Sequence, residues 1–211
     1  MLEGYIKLEN GVIKQKDSEV TTVYNVDYSD KYNSYGIKTT QISHARLGYL
    51  VASLGRNPNS VLDVGYGNGS FLETCAALGV ESFGNDISGY DLREDINFVE
   101  DITLEKYDVI TFFDSLEHFD NIDFVSSLKC NYVMISLPWC HYFSDDWFGE
   151  WKHRKKGEHI WHFNDESLVN YMKDMGFDLV NIGNIEDVVR TSDFEYENIL
   201  TGVFKKTERL K

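Results

Sequence analysis

The stretch Val61-Leu-Asp-Val-Gly-Tyr-Gly-Asn-Gly-Ser-Phe-Leu72 constrains the fold of this chain more than any other. It reads as a short buried strand, a turn carrying Gly65, Gly67 and Gly69, and the start of a helix. Glycine at alternate positions directly after a strand means that the backbone approaches something closely, because only glycine leaves room there.

The same alternation continues downstream. Strands are expected at Ser60–Val64, Ser82–Asn85, Tyr107–Phe112 and Tyr132–Ser136. Helices are expected at Ser70–Leu78, Ile122–Lys129 and Asp165–Met175, the last capped by Asn164 and stopped by Gly176. Such alternation predicts an α/β fold, a doubly wound and mostly parallel sheet with helices on both faces. Phe177–Ile182 and Asn198–Lys205 read as consecutive strands with no helix between them, so a C-terminal antiparallel strand pair is expected. Ahead of the sheet, Ile42, Ala45, Tyr49, Leu50 and Leu54 recur at helical intervals and stop at Gly55, which predicts a helix over Gln41–Leu54. At the N-terminus, Tyr5 to Gln15 alternates around Asn10-Gly11 and predicts a β-hairpin with a two-residue type I′ turn. Residues 24–35 hold four tyrosines with no clean period and read as an irregular arm. The expected division is therefore a hairpin and arm over 1–40 and the α/β domain over 41–211.

Charge and cysteine usage narrow the partners. The 211 residues carry a net charge of −15, which disfavours a nucleic-acid backbone as partner. The local exception, Trp151-Lys-His-Arg-Lys-Lys156, reads either as a contact for an anionic group or as a solvated loop. Cys75, Cys130 and Cys140 are widely spaced and lack zinc-site spacing, which fits reduced thiols and a cytoplasmic setting. No apolar run approaches the length of a membrane span, and no signal peptide is evident.

The turn's ligand can be narrowed from its neighbours. A dinucleotide fingerprint would place its third glycine at position 70, where this chain has serine; the glycine falls one place early, at Gly69. Asp63 stands just ahead of the turn. A carboxylate there would repel a pyrophosphate but attract an amine or a sulfonium, which points to S-adenosylmethionine. Asp86 ends the next strand, where a carboxylate accepts from ribose hydroxyls in either cofactor class. Asp101, after a short strand at Asn97–Val99, can accept from an adenine amino group, with Ile102 on the purine face. The plain alternatives are a capping role for Asp63, an ordinary turn aspartate at 86 and a surface loop charge at 101.

Together, Val61 to Ser70, Gly84-Asn-Asp86-Ile87-Ser, Asp101-Ile102 and Tyr107-Asp-Val-Ile-Thr-Phe-Phe113-Asp114-Ser-Leu-Glu117-His118 resemble the class I S-adenosylmethionine-dependent methyltransferases over about Gln41 to Lys205. The resemblance implies a Rossmann-like seven-stranded sheet whose last two strands form the reversed pair. It implies cofactor contacts at Asp63, Gly65, Tyr66, Gly67, Gly69, Asp86, Ile87, Asp101, Ile102, Phe113 and Asp114. Two departures stand out. Tyr66 replaces the small residue common at its position, where the backbone is what counts. The span from Asp86 to Asp101 is short, so the helix usual there is reduced, leaving Tyr90 or Leu92 to cover the adenine.

The cofactor carries the activation for methyl transfer, so the protein mainly positions acceptor and methyl. Asp114, Glu117 and His118 would share one face of a helical turn at the sheet's carboxyl edge, and His159 lies in a second histidine-containing segment. His118 or His159 can serve as general base for a hydroxyl acceptor. Alternatively Glu117, His118 and His159, with Asp114, can hold a divalent metal. That pairing resembles the arrangement in ubiquinone-pathway O-methyltransferases and small-RNA 2′-O-methyltransferases, which carry Glu where this chain has Asp114. The third alternative is a hydrogen-bonded turn with a structural or cofactor-positioning role. Ser136-Leu-Pro-Trp139 follows the fifth strand, whereas amino-methylating DNA enzymes carry their proline motif after the fourth. The aromatic stretch from Trp139 to Trp161 reads as a lid or acceptor pocket, or else as a packed connection or oligomer interface.

The expected function is methyl transfer from S-adenosylmethionine to a small-molecule acceptor, with O-methylation favoured over nitrogen or carbon. The rivals are a cofactor-binding module without turnover and a nicotinamide dehydrogenase, the latter disfavoured by Asp63 and Ser70. A divalent metal is possible but not favoured, and a homodimer is possible.

Overall fold

The computed structural model describes residues 2–17, 25, 36–190 and 195–207. Apart from Asn25, the expected arm over 24–35 lies outside the described residues.

Five strands run parallel, each joined to the next by a crossover connection. They are β3 (Ser60–Val64), β4 (Glu81–Asn85), β5 (Asn97–Phe98), β6 (Tyr107–Phe113) and β7 (Cys130–Pro138). With β9 (Phe177–Gly183) and β10 (Ile199–Lys206) they form a seven-stranded sheet in the order β5-β4-β3-β6-β7-β10-β9. The reversed strand is β10, antiparallel to both neighbours, as the consecutive C-terminal strands implied. The fold is thus the doubly wound α/β arrangement expected. The central strand β6 is buried along its whole length, the near-continuous apolar run of a two-faced sheet.

Alternation along the strands splits the core between the two faces. Val61, Val109, Met134 and Val203 pack against α1 (Ile37–Leu54) and α2 (Ser70–Ala77). Leu62, Ile110, Val133 and Phe204 share the opposite core with Leu168 and Met172 of α4 (Asp165–Asp174). Helix α4 opens with a reciprocal cap between Asn164 and Ser167, and α1 ends at left-handed Gly55, both at the residues expected. Cys75, Cys130 and Cys140 are buried and free. Among the described residues no helix is long and apolar enough to cross a membrane.

Three expectations need correction. First, α1 begins at Ile37 rather than Gln41. Its first turn is mostly exposed, so no apolar period marks it. Second, the helix expected over Ile122–Lys129 is a 3-10 turn over Asp123–Ser127. The hydroxyls of Ser126 and Ser127 donate to the carbonyls of Asp123 and Phe124, local bonds that compete with an α-helical ladder. Third, the N-terminal hairpin of β1 (Tyr5–Lys7) and β2 (Ile13–Gln15) pairs Tyr5 with Gln15 and Lys7 with Ile13. That register centres the loop on Asn10, so three residues turn where a two-residue type I′ turn was expected. Only Gly11 takes a positive φ, of 89°, and Leu8 and Val12 close the loop.

Strand β2 also pairs antiparallel with β8 (Trp161–His162), making a second sheet in the order β1-β2-β8. The hairpin assigned to residues 1–40 is therefore hydrogen-bonded to a strand of the segment that follows β7. Gln15 fixes that segment twice: its amide donates to the Ile160 carbonyl (2.8 Å), and its Oε1 accepts from the Gly157 amide (2.9 Å).

Candidate active site

The glycine turn leaves β3 with Gly65, Gly67 and Gly69 all at positive φ. A Cβ on Gly65 would stand 2.6 Å from the Ser115 Cβ, so what comes close to this backbone is the loop after β6. Ser115 in turn donates to the Val64 carbonyl (2.6 Å), which locks the two loops together. A Cβ on Gly69 would meet Leu92 at 3.2 Å, and one on Gly84 would meet Tyr66, Leu72 and Leu92 at 3.0 Å or less. Leu92 thus covers the turn from the short Asp86–Asp101 span, in the region where Tyr90 or Leu92 was expected to act. Gly65→Ala is expected to cost about 3 kcal/mol, combining left-handed strain with overpacking. Gly79, also left-handed but with no atom within 4 Å of a Cβ, is the control. Gly79→Ala should cost only the strain, about 1 kcal/mol. Equal shifts of the urea midpoint would remove the packing role given to Gly65.

The predicted cofactor residues fall around this turn. Asp86 accepts from the Gly67 amide (2.9 Å) and the Ser88 amide (2.7 Å), so its carboxylate is held at the end of β4 with lone pairs to spare. Ile87 beside it is exposed. Tyr66 is buried and donates to the Tyr90 carbonyl (2.6 Å); burial pushes its phenol up to about 12. Asp101, at the β5 edge, is exposed and accepts from the side chain and amide of Thr103, which lower its pKa. Ile102 packs half-buried against the core. Asp63 is 2 % exposed and accepts from Thr111 Oγ1 (2.7 Å), inside the sheet rather than at its open edge. Burial pushes its carboxyl up to about 7 against the Thr111 bond and the Arg46 charge. A cavity of about 510 Å³ lies on the helix side of the turn, lined by Thr39, Thr40, Asn68, Ser70 and Tyr90.

At the end of β6 the chain reverses through Asp114, which holds a left-handed φ of 49°. Its carboxylate accepts from both terminal nitrogens of Arg190 (2.5 and 3.2 Å) and lies 3.6 Å from Arg46. Glu186, fully buried, takes Arg46 Nε at 2.7 Å and Arg190 Nε at 3.0 Å. Burial raises the Asp114 carboxyl, but the Arg190 charge and hydrogen bonds outweigh it and hold it below the usual carboxylate range. Arg46 also lies 4.0 Å over the Phe113 ring. This four-charge cluster was not anticipated. One signal was available: Arg46 stands four residues after Ile42 and four before Leu50, on the apolar stripe of α1, where an arginine needs a buried partner.

The acceptor-side residues do converge. Glu117 and His118 form a 3-10 turn after β6, and His159 comes from the segment held by Gln15. The Ile160 amide donates to the Glu117 carbonyl (2.8 Å), and His118 Nδ1 donates to the Glu158 carbonyl (2.8 Å). One ligand atom each from Glu117, His118 and His159 lies within 4.8 Å of the others. Glu117 is 1 % exposed, and neither carboxylate oxygen has a hydrogen-bond partner among the described residues. Burial, reinforced by Asp114, raises its pKa well above the ordinary value. Burial lowers both histidines, so both rings are neutral near pH 7. Because His118 Nδ1 carries the donated proton, its Nε2 bears the lone pair, 3.9 Å from Glu117 Oε1.

The edge of the sheet therefore offers a carboxylate for a diol, a tight glycine turn, and both signs of charge beside Asp114. These are the donors and acceptors that a nucleoside with a zwitterionic amino-acid tail requires. A family profile described as a methyltransferase domain matches residues 40–182. No curated protein matches. Among solved structures, the chain is similar to the Burkholderia thailandensis 1,6-didemethyltoxoflavin-N1-methyltransferase at 14% identity and a TM-score of 0.61, covering 97% of this chain and 99% of that one. It is similar to a plantazolicin methyltransferase bound to S-adenosylhomocysteine at 18% identity and TM-score 0.58, covering 86% and 91%. The magnesium protoporphyrin IX methyltransferase of Synechocystis gives 17% identity and TM-score 0.56, covering 81% and 84%. With the profile spanning most of the sheet and these neighbours sharing the fold, the chain belongs to the methyltransferase domain family as a class I S-adenosylmethionine-dependent methyltransferase.

Proposed function

We propose that the chain methylates a hydroxyl of a small-molecule acceptor, with His118 or His159 taking the hydroxyl proton. The observation that carries this is the convergence of Glu117, His118 and His159 at the sheet's carboxyl edge, beside Asp114. When bound, the cofactor supplies a methyl already activated on a sulfonium. Asp86 would hold the ribose, and Asp101 with Ile87 and Ile102 the adenine. The backbone of Gly65, Tyr66, Gly67 and Gly69, with Phe113 and Asp114, would hold the tail. Asp63 would act from beneath, through Thr111 and its charge. Arg46 is the added candidate, a cation for the tail's carboxylate. Residues 1–40 would serve the domain over 41–211 by fixing His159 through Gln15, and a cytosolic setting fits the free thiols.

The solved neighbours include a porphyrin methyltransferase and a toxoflavin N1-methyltransferase, which supports a small-molecule acceptor; the choice of oxygen rests on the histidine pair. The test is methyl-labelled S-adenosylmethionine with a panel of phenols, alcohols and amines. Label should enter hydroxyl acceptors, and amine-only products would overturn the oxygen preference. His118→Ala or His159→Ala should slow turnover by about 10²-fold, while S-adenosylhomocysteine affinity stays within about threefold. Equal, negligible changes in both would leave the histidines a structural role.

A second reading has its own support. The two oxygens of buried Glu117, without a hydrogen-bond partner among the described residues and facing a histidine lone pair, suit a divalent cation such as Mg²⁺ or Zn²⁺. Bound there, the cation would lower the acceptor hydroxyl's pKa. Turnover unchanged by EDTA would dismiss it.

A further inference from the structure

Beyond β7, the aromatic insertion builds a box that the chemistry above does not use. His141 is sandwiched between Trp139, 5.2 Å away at 13°, and Phe143, 5.7 Å away at 4°. Trp147 and Trp151 stack at 5.5 Å across one turn of α3 (Asp145–Glu150) and the residue after it. Trp147 meets Phe143 edge-on at 5.3 Å, and Tyr196 closes on Phe143 at 4.6 Å. Between them lies a cavity of about 280 Å³ whose lining includes His141, Trp147, Trp151 and Tyr196 together with the carboxylates of Glu150 and Glu197.

No lysine or arginine among the described residues lines this cavity, although a basic run adjoins it in sequence. Two of those charges are turned elsewhere. Arg154 donates to the Gly149 carbonyl and lies over the rings of Tyr5 and Phe148, and Lys155 pairs with Glu158 at 2.8 Å. His141 Nε2 donates to the Glu197 carbonyl (2.9 Å) and lies 4.0 Å from its carboxylate. Aromatic faces and carboxylates around one space without a lysine or arginine among its lining favour a cation, since ring quadrupole and formal charge act with the same sign. A neutral apolar group would gain from the walls and nothing from Glu150 or Glu197.

The box also shares a wall with the histidine cluster. Asn198 lines the cavity and accepts from His153 Nε2 (3.0 Å), and His153 stacks parallel to His159 at 6.4 Å. A cavity this small takes part of a molecule rather than the whole.

We propose that this box binds a cationic nitrogen group, quaternary or protonated amine, of the methyl acceptor, and so selects acceptors that carry one a short distance from the methylated atom. The proposal deepens the acceptor side of the methyltransferase reading and rests on it. The test is calorimetry on the full chain saturated with S-adenosylhomocysteine, comparing choline with its neutral isostere 3,3-dimethylbutan-1-ol. Choline is expected to bind at least about tenfold more tightly than the isostere. Trp147→Ala, and separately the exposed pair Glu150→Gln with Glu197→Gln, should each remove most of that preference and leave S-adenosylhomocysteine affinity unchanged. The proposal is overturned if the isostere binds as well as choline, if choline does not bind, or if both variants keep the preference. Failure of S-adenosylhomocysteine itself to bind would count against the methyltransferase assignment; the choline preference is then read on the unliganded chain by the same criteria.

Discussion

Glu117→Gln is expected to slow turnover by about a hundredfold or more and to raise the melting temperature. The two effects follow from one fact: the carboxyl is 1 % exposed and neither oxygen has a hydrogen-bond partner among the described residues. Ionising a buried carboxyl costs several kcal/mol, and Asp114 beside it adds like charge, so folding must hold Glu117 protonated where the unfolded chain leaves it ionised. Glutamine keeps the shape of the neutral carboxyl without that proton uptake, so a gain of about 1–2 kcal/mol is expected, or roughly 2–8 °C for a chain of this size. The same change takes from His118 and His159 the negative group that would stabilise a proton or cation gathered between them, a loss on the scale of acid–base catalysis. Thermal melts and turnover with the acceptor found by methyl labelling measure both. A variant that melts lower than the parent, or turns over within about threefold of it, would place Glu117 in a purely structural role.

The parts of this site that could be read from the sequence are those with local causes. The β3 strand, its glycine turn and α2 follow from a run of apolar residues meeting glycines, and β3 spans the residues expected, Ser60–Val64. The Asn164 cap and the Gly55 stop depend on neighbours within four residues. Long-range pairing left little local trace. β8 is two residues long and exists because β2 hydrogen-bonds to it. The hairpin register, one residue from the expected one, is set by that sheet together with the Leu8–Val12 bond. The Arg46–Glu186 contact joins residues 140 positions apart. Even the glycines carried two meanings. Gly65 was expected to clear space for a ligand, and its nearest constraint is Ser115, a residue of the same chain. Asp63, expected to act on the cofactor's charge, lies within the sheet and accepts from Thr111. A motif marks where a backbone must be bare. Which atoms press on it depends on residues far along the chain.

Glu186→Ala should be strongly destabilising, by about 3 kcal/mol. Glu186 joins α1 to the turn after β9, since its two oxygens accept from Arg46 Nε (2.7 Å) and Arg46 Nη2 (3.1 Å), and it pairs with the Arg190 charge, Nε lying 3.0 Å away. Truncation leaves two guanidiniums with Asp114 as their shared counter-charge, which Arg46 reaches only at 3.6 Å. The figure sits at the low end for a broken buried pair because Arg190 remains 27% exposed and water can reach it. Glu186→Gln should lose less, since the amide oxygen still accepts from one arginine. The surface pair Arg93–Asp95 is the contrast, both side chains being over 40% exposed; Asp95→Ala should leave the urea midpoint nearly unchanged. Added salt should erase any Asp95 effect and leave most of the Glu186 effect, because screening acts on solvated charges. Urea unfolding of the three variants at low and high salt measures this. A Glu186→Ala loss below about 1 kcal/mol, or one abolished by salt, would mean that water already carries these charges and that Asp114 is held in its left-handed turn by the backbone alone.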